Sequence, residues 1–432
     1  VFPIGPNKNL VAALGLFAPT IRWHKGVFYI ICTNTSRKKG EEFCTNSFFM
    51  TTRNIWASEW SDPIWFELDG IDPSLFFDDN SKVYVQESYR DGAIGAQQCS
   101  IRQFQIDITS GEKLSETRVL WGYEIAATSA GISDIEGPRI YKKDGYYYLL
   151  AADGGTFETH KAVIARSRDI CGPFEVYEQN PVLTAAGTNE YIQNVGHADL
   201  FQDGTGAWWA VALGVKNETE GRAPIGRETL LIPVEWPIGD WPVFGRAKLQ
   251  FERPTLSHKP FKRATLFHEP NKEGSPAPTE RIDDVYLRDA NLNDFEFCVE
   301  ENSIKLTLSV RGLSATHGTT TFVGKRQRFS SSIAATTLCI PTEPHLKTGL
   351  TLYKDDVRHV DISYDTSTQK VTLEACLKLK GEPAVIAEIE ITAQKVQMRI
   401  AASAASYEFF IRTEADKEWT LLGSIDALDM TA

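Results

Sequence analysis

The stretch EGPRIYKKDGYYYLLAADGG, Glu136 to Gly155, decides the fold. It opens on a carboxylate held ahead of Gly-Pro and runs into a short apolar strand. It then turns through Lys-Asp-Gly and returns as a strand of Tyr, Leu and Ala. An Asp-Gly turn between two apolar runs is a hairpin signal. The pattern occurs three more times: APTIRWHKGVFYIICTN from Ala18, DPSLFFDDNSKVYVQES from Asp72, and GHADLFQDGTGAWWAVALG from Gly196. A spacing of about 60 residues, from Asp72 to Glu136 to His197, suits a four-stranded propeller blade with loop insertions. No segment sustains a 3.6-residue period, which excludes a helical solenoid.

In a propeller the innermost strands line a central channel, so the same point of each repeat forms a ring. That point is read as Ala18, Asp72, Glu136 and His197, three of them ionisable and each from a different blade. One Asp-Pro alone reads as a turn cap; three matched positions read as a site. Only seventeen residues precede Ala18, the first residue is Val1 rather than Met, and no signal peptide follows it. The expectation is therefore all-β: a five-bladed β-propeller over residues 1–255 with its first blade largely missing, with a four-bladed ring as the alternative. A linker over 256–278, rich in Pro, Lys and Ser, leads to a β-sandwich over 279–432. Its strands are read from the period-two alternation of SIKLTLSV (Ser303–Val310), AEIEIT (Ala387–Thr392) and KVQMRIA (Lys395–Ala401).

Composition bounds the partners. The 432 residues carry a net charge of −12, which argues against nucleic acid, and aromatics make up 11%, which suits β-structure and sugar-stacking faces. No apolar run is long enough to span a membrane. Seven scattered Cys cannot all pair within the chain. They favour a reducing compartment, whereas the sequons at Asn34 and Asn217 favour secretion. Localisation and oligomeric state stay open.

Paired carboxylates facing one pocket are the equipment of glycoside hydrolysis, one as a protonated acid and another as an ionised base or nucleophile. Glu136, among Tyr146, Tyr147 and Tyr148 in sequence, is the candidate acid. Asp72 is the neighbouring anion that raises its pKa and orients it.

GLFAPTIRWHKGVFYI, GIDPSLFFDDNSKVYV, EGPRIYKKDGYYYLLAADGGT, NVGHADLF and GRETLL together resemble glycoside hydrolase family 43. TTTFVGKRQRF (Thr319–Phe329) is similar to the concanavalin-like domain appended to its β-xylosidase branch. The resemblance implies an exo-acting, inverting β-xylosidase or α-L-arabinofuranosidase acting on xylo-oligosaccharides or arabinosyl substrates. It requires no cofactor. The general acid would be Glu136 and the pKa-tuning Asp would be Asp72. The family's Asp base belongs to a first-blade motif with no counterpart here, so the chain alone is expected to be nearly inactive. The resemblance further implies that Arg227 binds the sugar, with Phe17 and Thr156 lining the pocket and His160 supporting it. Phe322 would reach over the pocket from the sandwich, and His197 would hold a structural calcium through waters. Relatives also continue past the sequence IDALDMTA, which predicts a C-terminally shortened sandwich. Two other readings stay open: an invertase-like retaining glycosidase, and a non-catalytic carbohydrate-binding propeller.

Overall fold

A computed structural model describes residues 15–37, 43–56, 59–90, 99–122, 134–218, 223–250, 284–288, 290–298, 300–315, 318–377 and 383–430. The predicted linker and the boundaries around it lie outside these residues. Contacts divide the chain into two compact units, with Asn217–Gly226 grouped with the second.

The first unit is four consecutive antiparallel meanders. The first sheet holds β1 (Gly15–His24), β2 (Val27–Arg37), β3 (Phe43–Thr52) and β4 (Ile64–Phe66). The second holds β5 (Ile71–Phe77), β6 (Val83–Arg90), β7 (Cys99–Ile106) and β8 (Arg118–Trp121). The third holds β9 (Glu136–Lys143), β10 (Tyr146–Asp153), β11 (Lys161–Ser167) and β12 (Glu175–Val176), with β13 (Leu183–Thr184) beside β11. The fourth holds β14 (Ile192–Gln202), β15 (Trp208–Lys216), β16 (Arg227–Glu235) and β17 (Val243–Phe244). Each predicted hairpin is the first and second strand of one sheet.

The sheets pack face to face, which is propeller architecture. Ile31 and Phe49 of the first sheet meet Leu75, Val85 and Phe104 of the second. The third sheet buries both faces: Tyr147 and Leu149 enter the core shared with the second sheet, while Tyr148 and Leu150 enter the core shared with the fourth. This is why YYYLL is apolar without alternation. The outward faces of the two end sheets are different. Leu16, Ile21, Trp23 and Trp65 of the first sheet are exposed, as are Phe201, Leu231 and Val243 of the fourth.

The inner strands share a bulge. Register shifts interrupt β1 between Phe17 and Thr20, β5 between Ile71 and Ser74, β9 after Glu136, and β14 around Gly196. Each bulge holds a left-handed residue: Ala18 (φ 42°), Asp72 (φ 55°), Gly137 (φ 57°) and, across the two shifts of β14, both Asn194 (φ 55°) and His197 (φ 50°), of which His197 holds the matching position. The ring reading is thus corrected by one residue in the third sheet, where Gly137 is the structural mate of Asp72 and His197. Glu136 precedes it. Because side chains alternate along a strand, a one-residue shift changes which way a group points.

In the second unit β18 (Asp284–Tyr286) pairs with β21 (Val323–Lys325), and β19 (Phe295–Cys298) with β20 (Ser303–Leu306). The sandwich itself has one sheet of β22 (Ser332–Cys339), β27 (Lys395–Ala402), β28 (Ser406–Thr413) and β29 (Thr420–Asp426). The other is β23 (Lys347–Asp355), β24 (Arg358–Asp365), β25 (Lys370–Leu377) and β26 (Ala384–Glu390). Val360, Ile362, Val371 and Leu373 of one sheet face Val396, Met398, Ile400 and Phe409 of the other. The segment Ser303–Val310 departs from expectation. Only Ser303–Leu306 is strand, none of it is buried, and Val310 is fully exposed. Among the described residues no helix is long and apolar enough to cross a membrane. Asn34 is buried in β2, which removes it as a glycosylation acceptor.

Candidate active site

The site is built on the bulges. Asp72 is 4% exposed, and its carboxylate accepts the N–H of Gly137. The second sheet therefore grips the backbone next to Glu136 of the third. Burial pushes the Asp72 carboxyl up, and Arg139 opposes the shift. A non-glycine residue held left-handed beside buried charge is the kind of strain that concentrates at functional sites.

Glu136 is half-buried at the start of β9, opposite Ala152 of β10. Its carboxyl is pushed up to about 7, first by burial, then by the negative charges of Asp72 and Asp134; Arg90 and Arg227 pull the other way. Such a group is substantially protonated near neutrality.

Two histidines stand beside it. His160 is buried, and its Nδ1 lies 2.9 Å from the carbonyl of Asn194. A carbonyl only accepts, so Nδ1 carries the hydrogen and Nε2 is a bare lone pair. The Nε2 atoms of His160 and His197 are both buried without a hydrogen-bond partner among the described residues. Burial, with Arg139 and His160 nearby, pushes His197 down to about 3, so it is neutral. One ligand-type atom from each of Glu136, His160 and His197 lies within 4.8 Å of the others. Two glycines make room for the rings. A Cβ on Gly137 would lie 2.6 Å from His197 Nε2, and one on Gly196 would lie 2.6 Å from His160 Nε2.

Arg227 opens β16, exposed, with its charge felt by Glu136, His160 and His197. Its neighbour Glu228 pairs with Lys216 at 3.0 Å. Thr156 joins the cluster through its carbonyl, which accepts Asn194 Nδ2 at 3.4 Å. Phe17 sits one residue before the first bulge, and its carbonyl accepts the Cys32 thiol at 3.2 Å. That thiol is pushed up to about 12 by burial, with Asp72 adding to the shift. Phe322 belongs to the second unit, where its ring meets Tyr353 with centroids 5.5 Å apart.

Sequence reasoning missed the buried ion network under these groups. Arg139 is only 3% exposed, with its Nε 3.4 Å from Asp199 Oδ2. The same oxygen takes Arg22 NH1 at 2.8 Å, while Oδ1 accepts Tyr141 OH at 2.6 Å. Burial alone would raise Asp199, but Arg22 and Arg139 hold it below the usual carboxylate range. The only available signal was Arg in GPRI and Asp in GHAD, each three residues or fewer from a residue already singled out.

A propeller-type unit with two neighbouring carboxyls, one of them raised to about 7, carries the equipment of glycoside hydrolysis. The sequence profile of glycosyl hydrolases family 43 matches residues 4–242, and that of the beta xylosidase C-terminal concanavalin A-like domain matches residues 281–432. The chain belongs to glycosyl hydrolases family 43. It is 29% identical over 421 residues to the non-reducing end alpha-L-arabinofuranosidase BoGH43B of Bacteroides ovatus, covering 96% of this chain and 75% of that protein. It is 29% identical over 419 residues to a xylosidase/arabinosidase of Butyrivibrio fibrisolvens, covering 93% and 77%. Among solved structures, the xylan beta-1,4-xylosidase of Bacillus halodurans C-125 superposes with a TM-score of 0.84 at 25% identity, covering 98% of this chain and 81% of that one.

Proposed function

We propose that the first unit carries the proton-donating and sugar-binding half of an exo-acting, inverting glycosidase that removes terminal β-D-xylosyl or α-L-arabinofuranosyl residues from xylo-oligosaccharides. The observation that carries this reading is Glu136, raised to about 7 beside a buried Asp72 that holds the neighbouring Gly137 N–H. Glu136 donates its proton to the leaving glycosidic oxygen. Asp72 keeps that proton on Glu136 until it is needed and fixes the backbone that aims it. Arg227 offers a planar fork to adjacent sugar hydroxyls. Phe17 and Thr156 line the pocket, and His160 supports it.

An inverting reaction also needs a base that activates water on the far face of the sugar. The other carboxylates near the site are committed. Asp134 pairs with Arg90, Asp153 with Lys161 at 2.9 Å, and Asp199 with Arg22, Arg139 and Tyr141. No carboxylate of the described residues is assigned that role.

The donor set does not fit a calcium bound directly by the protein. Two imidazole nitrogens and one carboxylate suit a transition-metal ion better than a cation that wants six to eight oxygens. No step of the reaction is routed through a metal.

The test is xylotriose turnover with the product anomer read by proton NMR. Inverted product, with turnover falling about 10²–10⁴-fold in Glu136→Gln, supports the reading. Retained product overturns it in favour of the invertase-like mechanism. Xylose binding without turnover supports the carbohydrate-binding description of this chain.

A further inference from the structure

The sandwich unit holds a run of side chains whose connectivity the fold does not require. His359 and Asp361 lie two apart on β24, so they share a face. It is the face opposite Val360 and Ile362, which point into the core. His359 Nδ1 is 2.9 Å from Asp361 Oδ2, and His359 Nε2 is 2.7 Å from Ser314 Oγ. A carboxylate only accepts, so Nδ1 carries the hydrogen and Nε2 is left to accept the serine hydroxyl. Hydroxyl to Nε2 and Nδ1 to carboxylate is the order of a Ser-His-Asp relay.

The parts are held firmly. The second oxygen of Asp361 accepts Thr351 Oγ1 at 2.5 Å. His359 is only 5% exposed, whereas Ser314 is half-buried in the Gly312–Ala315 turn. Arg288 braces that turn, donating to the carbonyls of Ala315 at 2.6 Å and Gly318 at 2.7 Å and to Thr320 Oγ1 at 2.5 Å. The Cys376 thiol lies 3.5 Å from Ser314 Oγ. Tyr353 stacks on the His359 ring with centroids 6.0 Å apart, and its buried hydroxyl has no hydrogen-bond partner among the described residues. Burial pushes that phenol up to about 12, so it is a donor at neutral pH.

Pinning the turn to the sheet would need only the serine and the imidazole. It would not need a carboxylate on Nδ1 or an unpaired phenol beside the ring. We propose that Ser314 is a nucleophile activated by His359 and Asp361, and that this face of the sandwich hydrolyses carboxylic esters of small acids. Ser314 Oγ bonds to the acyl carbon as its proton passes to His359 Nε2. The carbonyl electron pair moves onto oxygen, for which the Tyr353 hydroxyl is the assigned donor. The pair returns, the ester C–O bond breaks, and His359 gives the proton to the leaving alcohol oxygen. Water then repeats the sequence on the acyl-serine and releases the carboxylic acid.

The test uses the full chain with a fluorophosphonate probe, alongside p-nitrophenyl acetate hydrolysis. Expected is stoichiometric labelling on the peptide containing Ser314, abolished in Ser314→Ala. Asp361→Asn, which keeps the shape of the relay, should slow labelling by at least about 10²-fold while its melting temperature shows that it is folded. Tyr353→Phe should slow acetate hydrolysis at least about tenfold and leave the labelled residue unchanged. Absence of labelling in the wild-type chain, labelling at another residue, or acetate hydrolysis that survives Ser314→Ala overturns the proposal. The probe reads the serine itself, so the outcome is independent of the glycosidase reading.

Discussion

β9 and β27 are both eight-residue antiparallel strands, yet their burial differs. β9 is buried at every position from Gly137 to Tyr141, while β27 is fully buried only at Val396, Met398 and Ile400. β9 belongs to a sheet sandwiched between two others; β27 belongs to a sheet with one core face. A strand with one buried face announces its register through alternation. A strand with two buried faces does not, and its register is set by neighbours far away in sequence. Glu136 was read as the ring position for that reason, when the bulge residue is Gly137.

The largest effect that tests this contrast lies on β27. Met398→Ala removes a fully buried side chain from a one-sided core and should cost the second unit about 2–5 kcal/mol. Calorimetry should show a lowered transition for that unit with sugar binding by the first unit unchanged; a uniform loss in both would break the contrast.

On β9 the sensitive position is a glycine. Gly137→Ala adds a Cβ at positive φ, 2.6 Å from His197 Nε2, and should cost about 1–3 kcal/mol. Ala18→Gly at the matching bulge relieves a strained alanine (φ 42°) and should move the melting temperature little or upward. Equal losses at the two sites would mean that the bulges are not equivalent.

Asp72→Asn tests the charge rather than the packing. Glu136 works protonated, and Asp72 is the second contributor to its raised value after burial. Removing that charge lowers the Glu136 value, so the alkaline limb of kcat/KM should move to lower pH. A limb that stays in place assigns the elevation to burial and Asp134.

The smallest effect is on stability. Between about 4.5 and 7 the folded chain holds a proton on Glu136 that the unfolded chain has released. The contribution of Glu136 is therefore fully present below 4.5 and is lost as pH rises through 7. Thermal melts of Glu136→Gln should gain on wild type at pH 8 relative to pH 4.

Much of the fold was legible because it is local. Four hairpins with Gly, Asp or Asn turns named the blades, and Asp72 and His197 were found because their repeats aligned. Arg139 was not found. A strand arginine reads as solvent-facing until Asp72 and Asp199, each at least 60 residues away in sequence, are brought beside it. Ser303–Val310 misled in the opposite sense: alternation records which residues could face a core, not whether anything packs against them. Ser314 lies in a turn 45 residues from His359, and no spacing rule links the two.

Gly137 and His197 sit on different sheets, and the side chain missing from one is the space occupied by the ring of the other. They behave as a single locus. An engineer who reshapes the pocket by enlarging position 137 has to shrink position 197 in the same step. The double exchange should then be milder than the sum of the single ones, the coupling expected of two residues that share one volume.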